Sequence, residues 1–181
     1  MTSRVRRRLV AAAALLPVIP AFAQGRGLTC GERTPSQTAG PFFTPDSPRR
    51  MSLLEPDAKT GKLVLSGTVM SAQCRPVAGA LLDFWQADED GRYDNRGFRY
   101  RGHQFADAQG RYRLETVLPG EYPGRTPHIH VRVQAPGQSV LTTQLYFPGH
   151  ARNRRDFLHR PDLEMRMARP GAGEFDFVVE T

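Results

Sequence analysis

The 181-residue chain contains neither an internal repeat nor a long low-complexity tract, which sets aside solenoids and disordered arrays. Helical periodicity is weak throughout, so a helix bundle is excluded, and the best window for any helix is around residues 152–168. Cysteine is scarce, with only Cys30 and Cys74 present. In an oxidising compartment such a pair reads as a disulfide rather than a redox motif. Closing that loop contributes roughly 4 kcal/mol in the chain-entropy model. The apolar run near the start is too short, and too interrupted by Pro17 and Pro20, to span a bilayer.

That opening has a different logic. A basic start (Arg4, Arg6, Arg7, Arg8), an apolar middle and Ala21-Phe22-Ala23 before Gln24 form the layout of an export signal cut after an A-x-A site. The clustered arginines also suit a twin-arginine variant, which exports folded proteins. Residues 1–23 therefore read as a signal peptide, and the mature protein as periplasmic or secreted. The full chain carries 25 Lys+Arg and 18 Asp+Glu, for +7. Removing the four leader arginines leaves 21 against 18, or +3, so the basic balance is poor evidence for nucleic acid. The cluster "HARNRRDFLHR" (150–160) has no interleaved aromatics of a nucleic-acid motif and reads as a solvated loop.

The remaining residues suit one domain. Residues 24–60, rich in Pro, Gly, Ser and Thr, read as an extended N-terminal arm whose aromatic knot is "TAGPFF" (38–43). Residues 61–181 then alternate short apolar segments with turn chemistry. Strands are expected over 62–70, 80–88, 110–117, 128–134, 140–147 and 174–180, separated by turns such as "EDGR" and "APGQ". The fold class that follows is mainly β, an antiparallel sandwich or barrel.

His128 and His130 stand two apart at the start of one such strand, so their imidazoles share a face. That spacing suits two ligands of one ion, and equally two residues of a solvated face. A cupin would carry Glu shortly after the pair, where this chain has Gln134 and Ala135. Tyr93 and Tyr122 lie in Gly-containing turns at strand ends, where active sites are commonly built. Two phenols and two imidazoles together favour a trivalent iron. Such a hard cation prefers anionic oxygen and deprotonates a phenol far below its free value of about 10. Phe84 and Trp85, consecutive on a strand, are expected as core and cleft wall. Tyr112 and Tyr146 fall within strands and read as packing residues, and His103, His150 and His159 as surface residues.

The runs "LDFWQADEDGRYDN", "DAQGRYRLETVLPGEYPGRTPHIHV" and "LTTQLYF", with "TAGPFF" upstream, resemble the intradiol ring-cleavage dioxygenases, particularly those acting on protocatechuate. The resemblance spans roughly residues 34–148. It implies a β-sandwich holding non-haem Fe(III) through Tyr93, Tyr122, His128 and His130, with Arg125 and Gln144 lining the substrate pocket. It further implies a small aromatic diol and O2 as substrates. Tyr122 would take up the diol's protons, and Arg125 would stabilise charge on the ring. It leaves a homo-oligomer open, and implies no nucleic-acid partner. The stretch from Tyr122 to His128 is short for a protocatechuate enzyme, which leaves the preferred catechol open. A non-catalytic secreted module of prealbumin type, binding carbohydrate or serving as a spacer, would explain the turn glycines, but not these six side chains.

Overall fold

The computed structural model describes residues 31–181, and the expected signal peptide lies outside them. Among the described residues no helix is long and apolar enough to cross a membrane. The described residues form nine strands and two short 3-10 helices: β1 (Lys62–Ser71), β2 (Leu81–Trp85), β3 (Arg101–Phe105), β4 (Arg111–Val117), β5 (His128–Gln134), β6 (Leu141–Tyr146), β7 (Arg166–Arg169), β8 (Ala172–Glu174) and β9 (Phe177–Val179). The 3-10 helices are Ala151–Arg155 and Pro161–Leu163. They occupy the window expected to be helical. Pro161 opens the second, and the Asp156 carboxylate accepts the Leu158 N–H, which stops the first from continuing.

Two sheets face each other. One has the order β3-β2-β5-β6, the other β4-β1-β8-β7 with β9 also pairing β1. Strand periodicity places Leu82, Phe84, Ile129, Val131, Val133 and Leu145 of the first sheet against Leu65, Val69, Leu114 and Phe177 of the second, all buried. The sandwich is not purely antiparallel, because β8 and β9 run parallel to β1. Parallel pairing needs a long crossover, and the chain returns to β1 only after completing the other sheet. The strand expected over 174–180 is split for a local reason. Asp176 leaves the ladder, and its carboxylate accepts the Thr68 N–H at 2.8 Å in place of a backbone carbonyl. Gly67 makes this approach feasible, since a Cβ there would lie 1.8 Å from the Phe175 carbonyl oxygen.

The arm is held to the sandwich at intervals. Gln37 N–H donates to Thr142 O at 2.8 Å, Arg50 N–H to His103 O at 2.9 Å and Leu53 N–H to Glu115 O at 2.7 Å. It thereby crosses the outer face of the β3-β2-β5-β6 sheet. Cys74 is disulfide-bonded, and Cys30, the partner expected for it, lies outside the described residues.

Candidate metal and catalytic site

The register of the four-stranded sheet builds the floor of the site. Trp85 on β2 stands opposite Arg101 on β3 and His130 on β5, and His130 stands opposite Gln144 on β6. Arg101, Trp85, His130 and Gln144 thus form one cross-strand row on the face away from the core. Phe84, one residue back, points inward to Tyr112, with ring centroids 5.9 Å apart. Trp85 lies flat on His130, with centroids 4.8 Å apart and planes 6° apart. This is the core and cleft-wall division expected of consecutive strand residues.

On that floor three ligand-type atoms converge. Tyr93 Oη lies 3.2 Å from His128 Nε2 and 3.1 Å from His130 Nε2, and the two Nε2 atoms are 3.1 Å apart. Metal–imidazole bonds of about 2.1 Å place neighbouring donors at right angles about 3 Å apart. The triangle therefore has the dimensions of three ligands of one ion. His128 Nδ1 lies 2.7 Å from the Thr126 carbonyl, which can only accept, so the proton sits on Nδ1 and the Nε2 lone pair faces the centre. His130 Nδ1 is buried without a partner. Burial holds the His128 imidazole down to about 4, helped by the nearby Arg125 charge. Burial, the neighbouring His128, Arg125 and Arg101 push His130 well below the ordinary range. Both rings are therefore neutral at pH 7. Burial drives the Tyr93 phenol upward against the pull of Arg125 and Arg101, so a strongly charged cation is needed to make it a phenolate. Among the described residues no cluster of three or more His, Cys, Asp and Glu could hold a metal, so this donor set depends on phenol oxygen.

Tyr122 stands at the rim, half-buried and edge-on to Tyr93, with centroids 6.0 Å apart and planes 80° apart. Its hydroxyl makes none of the three short contacts. Phe42 of the arm stacks on Tyr93 at 4.4 Å and meets the Tyr122 ring edge-on at 5.3 Å. Arg125 Nη2 donates to Gln144 Oε1 at 2.6 Å, and Gln144 Nε2 donates to Thr38 O at 2.9 Å. All six residues expected from sequence therefore lie in one cluster, with Tyr93, His128 and His130 at its centre.

Three residues at the site escaped the sequence reading. Asp156, buried within the segment expected to be a solvated loop, accepts from Arg125 Nε at 2.9 and 3.0 Å and from Thr126 N–H at 3.0 Å. Neighbouring Asn153 is also buried, its Oδ1 accepting from Thr126 Oγ1 at 2.7 Å, whereas Arg152, Arg154 and Arg155 are exposed. Arg101 is buried on β3, a strand whose sequence, RGHQF, has no apolar alternation to announce it. Tyr146 packs in a strand as expected, but its hydroxyl also lies 3.1 Å from Gln144 Oε1 and 3.4 Å from Arg125 Nη2. His103, His150 and His159 are half-buried rather than on the surface, each lying within 3.1 Å of a partner: Ser47 O, Thr126 Oγ1 and Glu164 Oε1 respectively. A separate groove of about 570 Å³ lies by Thr68, Phe105 and Arg111, but its arginines pair with acids and no such convergence occurs there.

A family model described as Dioxygenase matches residues 38–166, which include every residue of this cluster. The chain is 32% identical over 182 residues to a chlorocatechol 1,2-dioxygenase of Pseudomonas sp. (strain P51), covering 84% of this chain and 72% of that protein. It is 35% identical over 106 residues to the protocatechuate 3,4-dioxygenase beta chain of Burkholderia cepacia, covering 49% and 45%. The chain spans about half the length of most curated relatives it matches. Among solved structures, it resembles the dioxygenase domain of a dioxygenase carbohydrate-binding protein fusion from Streptomyces sp. SirexAA-E. That match has 54% identity and a TM-score of 0.79, covering 83% of this chain and 99% of that one. It also resembles the 3-chlorocatechol 1,2-dioxygenase of Rhodococcus opacus 1CP, at 26% identity and a TM-score of 0.72, covering 80% and 71%. With the sandwich, the Tyr–His–His triangle and a match across most of its length, the chain belongs to the intradiol ring-cleavage dioxygenases, a family that typically uses non-haem Fe(III).

Proposed function

We propose that this protein is an exported Fe(III) dioxygenase that cleaves a catechol-type ring, protocatechuate or a related catechol, between its two hydroxylated carbons. That C–C bond breaks, and both atoms of O2 end in the product, a muconate-type diacid. The observation that carries this reading is the triangle of Tyr93 Oη, His128 Nε2 and His130 Nε2, with sides of 3.1–3.2 Å. Tyr93, Tyr122, His128 and His130 would hold the metal. Ferric iron held there would draw electron density from the diol ring and so make it reactive towards O2.

The protein's own groups do the rest. Neutral imidazoles leave the cationic centre to be balanced by phenolates, and Trp85 keeps the His130 ring from turning. Tyr122, at the rim and the less confined of the two phenols, would accept the diol's proton at its oxygen. Arg125 would stabilise the charge that develops on the ring. Its orientation is preset by Gln144 and Asp156, so no reorganisation is needed as the ring reacts. Phe42 closes over Tyr93 and limits water at the centre.

Export to the periplasm or the exterior is supported by the leader's layout and by the disulfide at Cys74, a bond that persists in oxidising compartments. The test is to load purified protein with ferric iron and present catechol, protocatechuate and hydroxyquinol. A burgundy tyrosinate band, O2 uptake and diacid absorbance with at least one of them are expected. A colourless protein that retains no iron would overturn the reading.

A further inference from the structure

We infer that Arg101 is a positioning residue for the iron-ligand tyrosine, tying the loop of Tyr93 to the arm that stacks on it and keeping a permanent positive charge beside that ring. The inference rests on the iron reading above and extends it to a residue outside the expected ligand set.

The guanidinium belongs to a side chain that is among the largest fully buried in the protein, at 1% exposure. A buried cation is costly unless paired or used. Among the described residues Arg101 pairs with no carboxylate. Its hydrogen bonds all go to main-chain carbonyls: Nε and Nη2 donate to Asp94 O at 3.0 and 2.7 Å, and Nη1 donates to Phe42 O at 2.6 Å. The nearby acids are engaged elsewhere. Asp94 accepts the N–H groups of Arg96, Gly97 and Arg99, and Asp83 accepts from Ser47 Oγ.

The two carbonyls it grips are telling. Asp94 follows Tyr93 directly, and Phe42 is the residue whose ring stacks on Tyr93 with planes 16° apart. One planar fork therefore fixes both partners of that stack. A lysine, as a point charge on a flexible stem, would not span the same acceptors. Arg101 is also the end of the cross-strand row that continues through Trp85 to His130, so β2 pairs both with the strand of Arg101 and with that of a second expected ligand. Residues that orient metal ligands commonly alter metal affinity by about 10- to 100-fold when removed. The positive charge adds an electronic effect, lowering the energy of the phenolate electrons donated to the metal.

The experiment compares Arg101→Met and Arg101→Lys with wild type, reading ferric affinity, the tyrosinate absorption band, and limited proteolysis of the iron-free protein within the arm. Arg101→Met should bind iron at least about tenfold more weakly, move the band to lower energy and expose the arm near Phe42 to cleavage. Arg101→Lys should restore the band position while recovering iron affinity only in part. Should the Met protein not fold, Arg101→Lys decides alone: weakened iron with a near-normal band supports the inference, and wild-type affinity overturns it. A coloured wild type matched in band and affinity by Arg101→Met overturns the inference while leaving the iron reading standing. A wild type without the band overturns both.

Discussion

The Asp156 carboxylate receives the Nε–H of Arg125 on both oxygens, at 2.9 and 3.0 Å, with 1% of the Asp156 side chain and 12% of the Arg125 side chain exposed. The pair moderates the net charge that Arg125 brings to the cluster. Burial raises the Asp156 carboxyl, but the N–H groups of Thr126 and Leu158 and the Arg125 guanidinium outweigh it, leaving a net depression below 3.8. A depressed carboxyl contributes stability above its unfolded value, and loses it as pH falls through its folded one. Asp156→Asn should therefore cost about 3 kcal/mol in urea unfolding at pH 7. The deficit should shrink below pH ~4, and a deficit that persisted unchanged in acid would argue against the charge pairing.

The two phenols should separate on substitution. Tyr93→Phe removes a corner of the donor triangle and should leave the protein largely iron-free by metal analysis. Tyr122→Phe, at the rim, should keep its iron but shift the absorption band and slow turnover by about 100-fold, the scale of lost acid–base assistance. An unchanged spectrum and rate would remove Tyr122 from the site.

Arg125→Ala should depress turnover more than apparent substrate affinity, because its donors matter most as charge develops on the ring. A loss of about 2–4 kcal/mol in transition-state stabilisation is expected, read from kcat at saturating catechol. Wild-type kcat would count against the role.

Removing iron with a ferric chelator should bleach the protein and lower its Tm, since a ligand bound only by the folded state stabilises it by mass action. Equal melting of loaded and stripped protein would mean that the ion does not bind the folded site.

Gly67→Ala tests the split C-terminal strand. The added Cβ would sit 1.8 Å from the Phe175 carbonyl oxygen, within backbone that cannot yield cheaply. A loss of about 4 kcal/mol or failure to fold is expected, with Gly61→Ala, where nothing lies within 4 Å, as a neutral control.

Much of this molecule is readable from local pattern. Alternation located β1, β4, β5 and β6 within a few residues, and it placed Phe84 and Trp85 on opposite faces. The strands β3 and β7 were not legible. RGHQF and RMAR carry no apolar period, and both are strands because neighbours pair with them. The break at Asp176 was equally hidden, since a carboxylate replacing a carbonyl in the ladder leaves no trace in hydrophobicity.

Chain chemistry alone determined which donors were available: two histidines two apart on a strand and two turn tyrosines, a set that suits a trivalent cation. Only the tertiary structure decided that Tyr93, from a loop 35 residues before His128, meets both imidazoles, and that Asp156 and Arg101 hold the groups around them. The reason is physical. Spacing along a strand dictates which face a side chain takes, whereas the meeting of distant loops depends on how two sheets and an arm pack together.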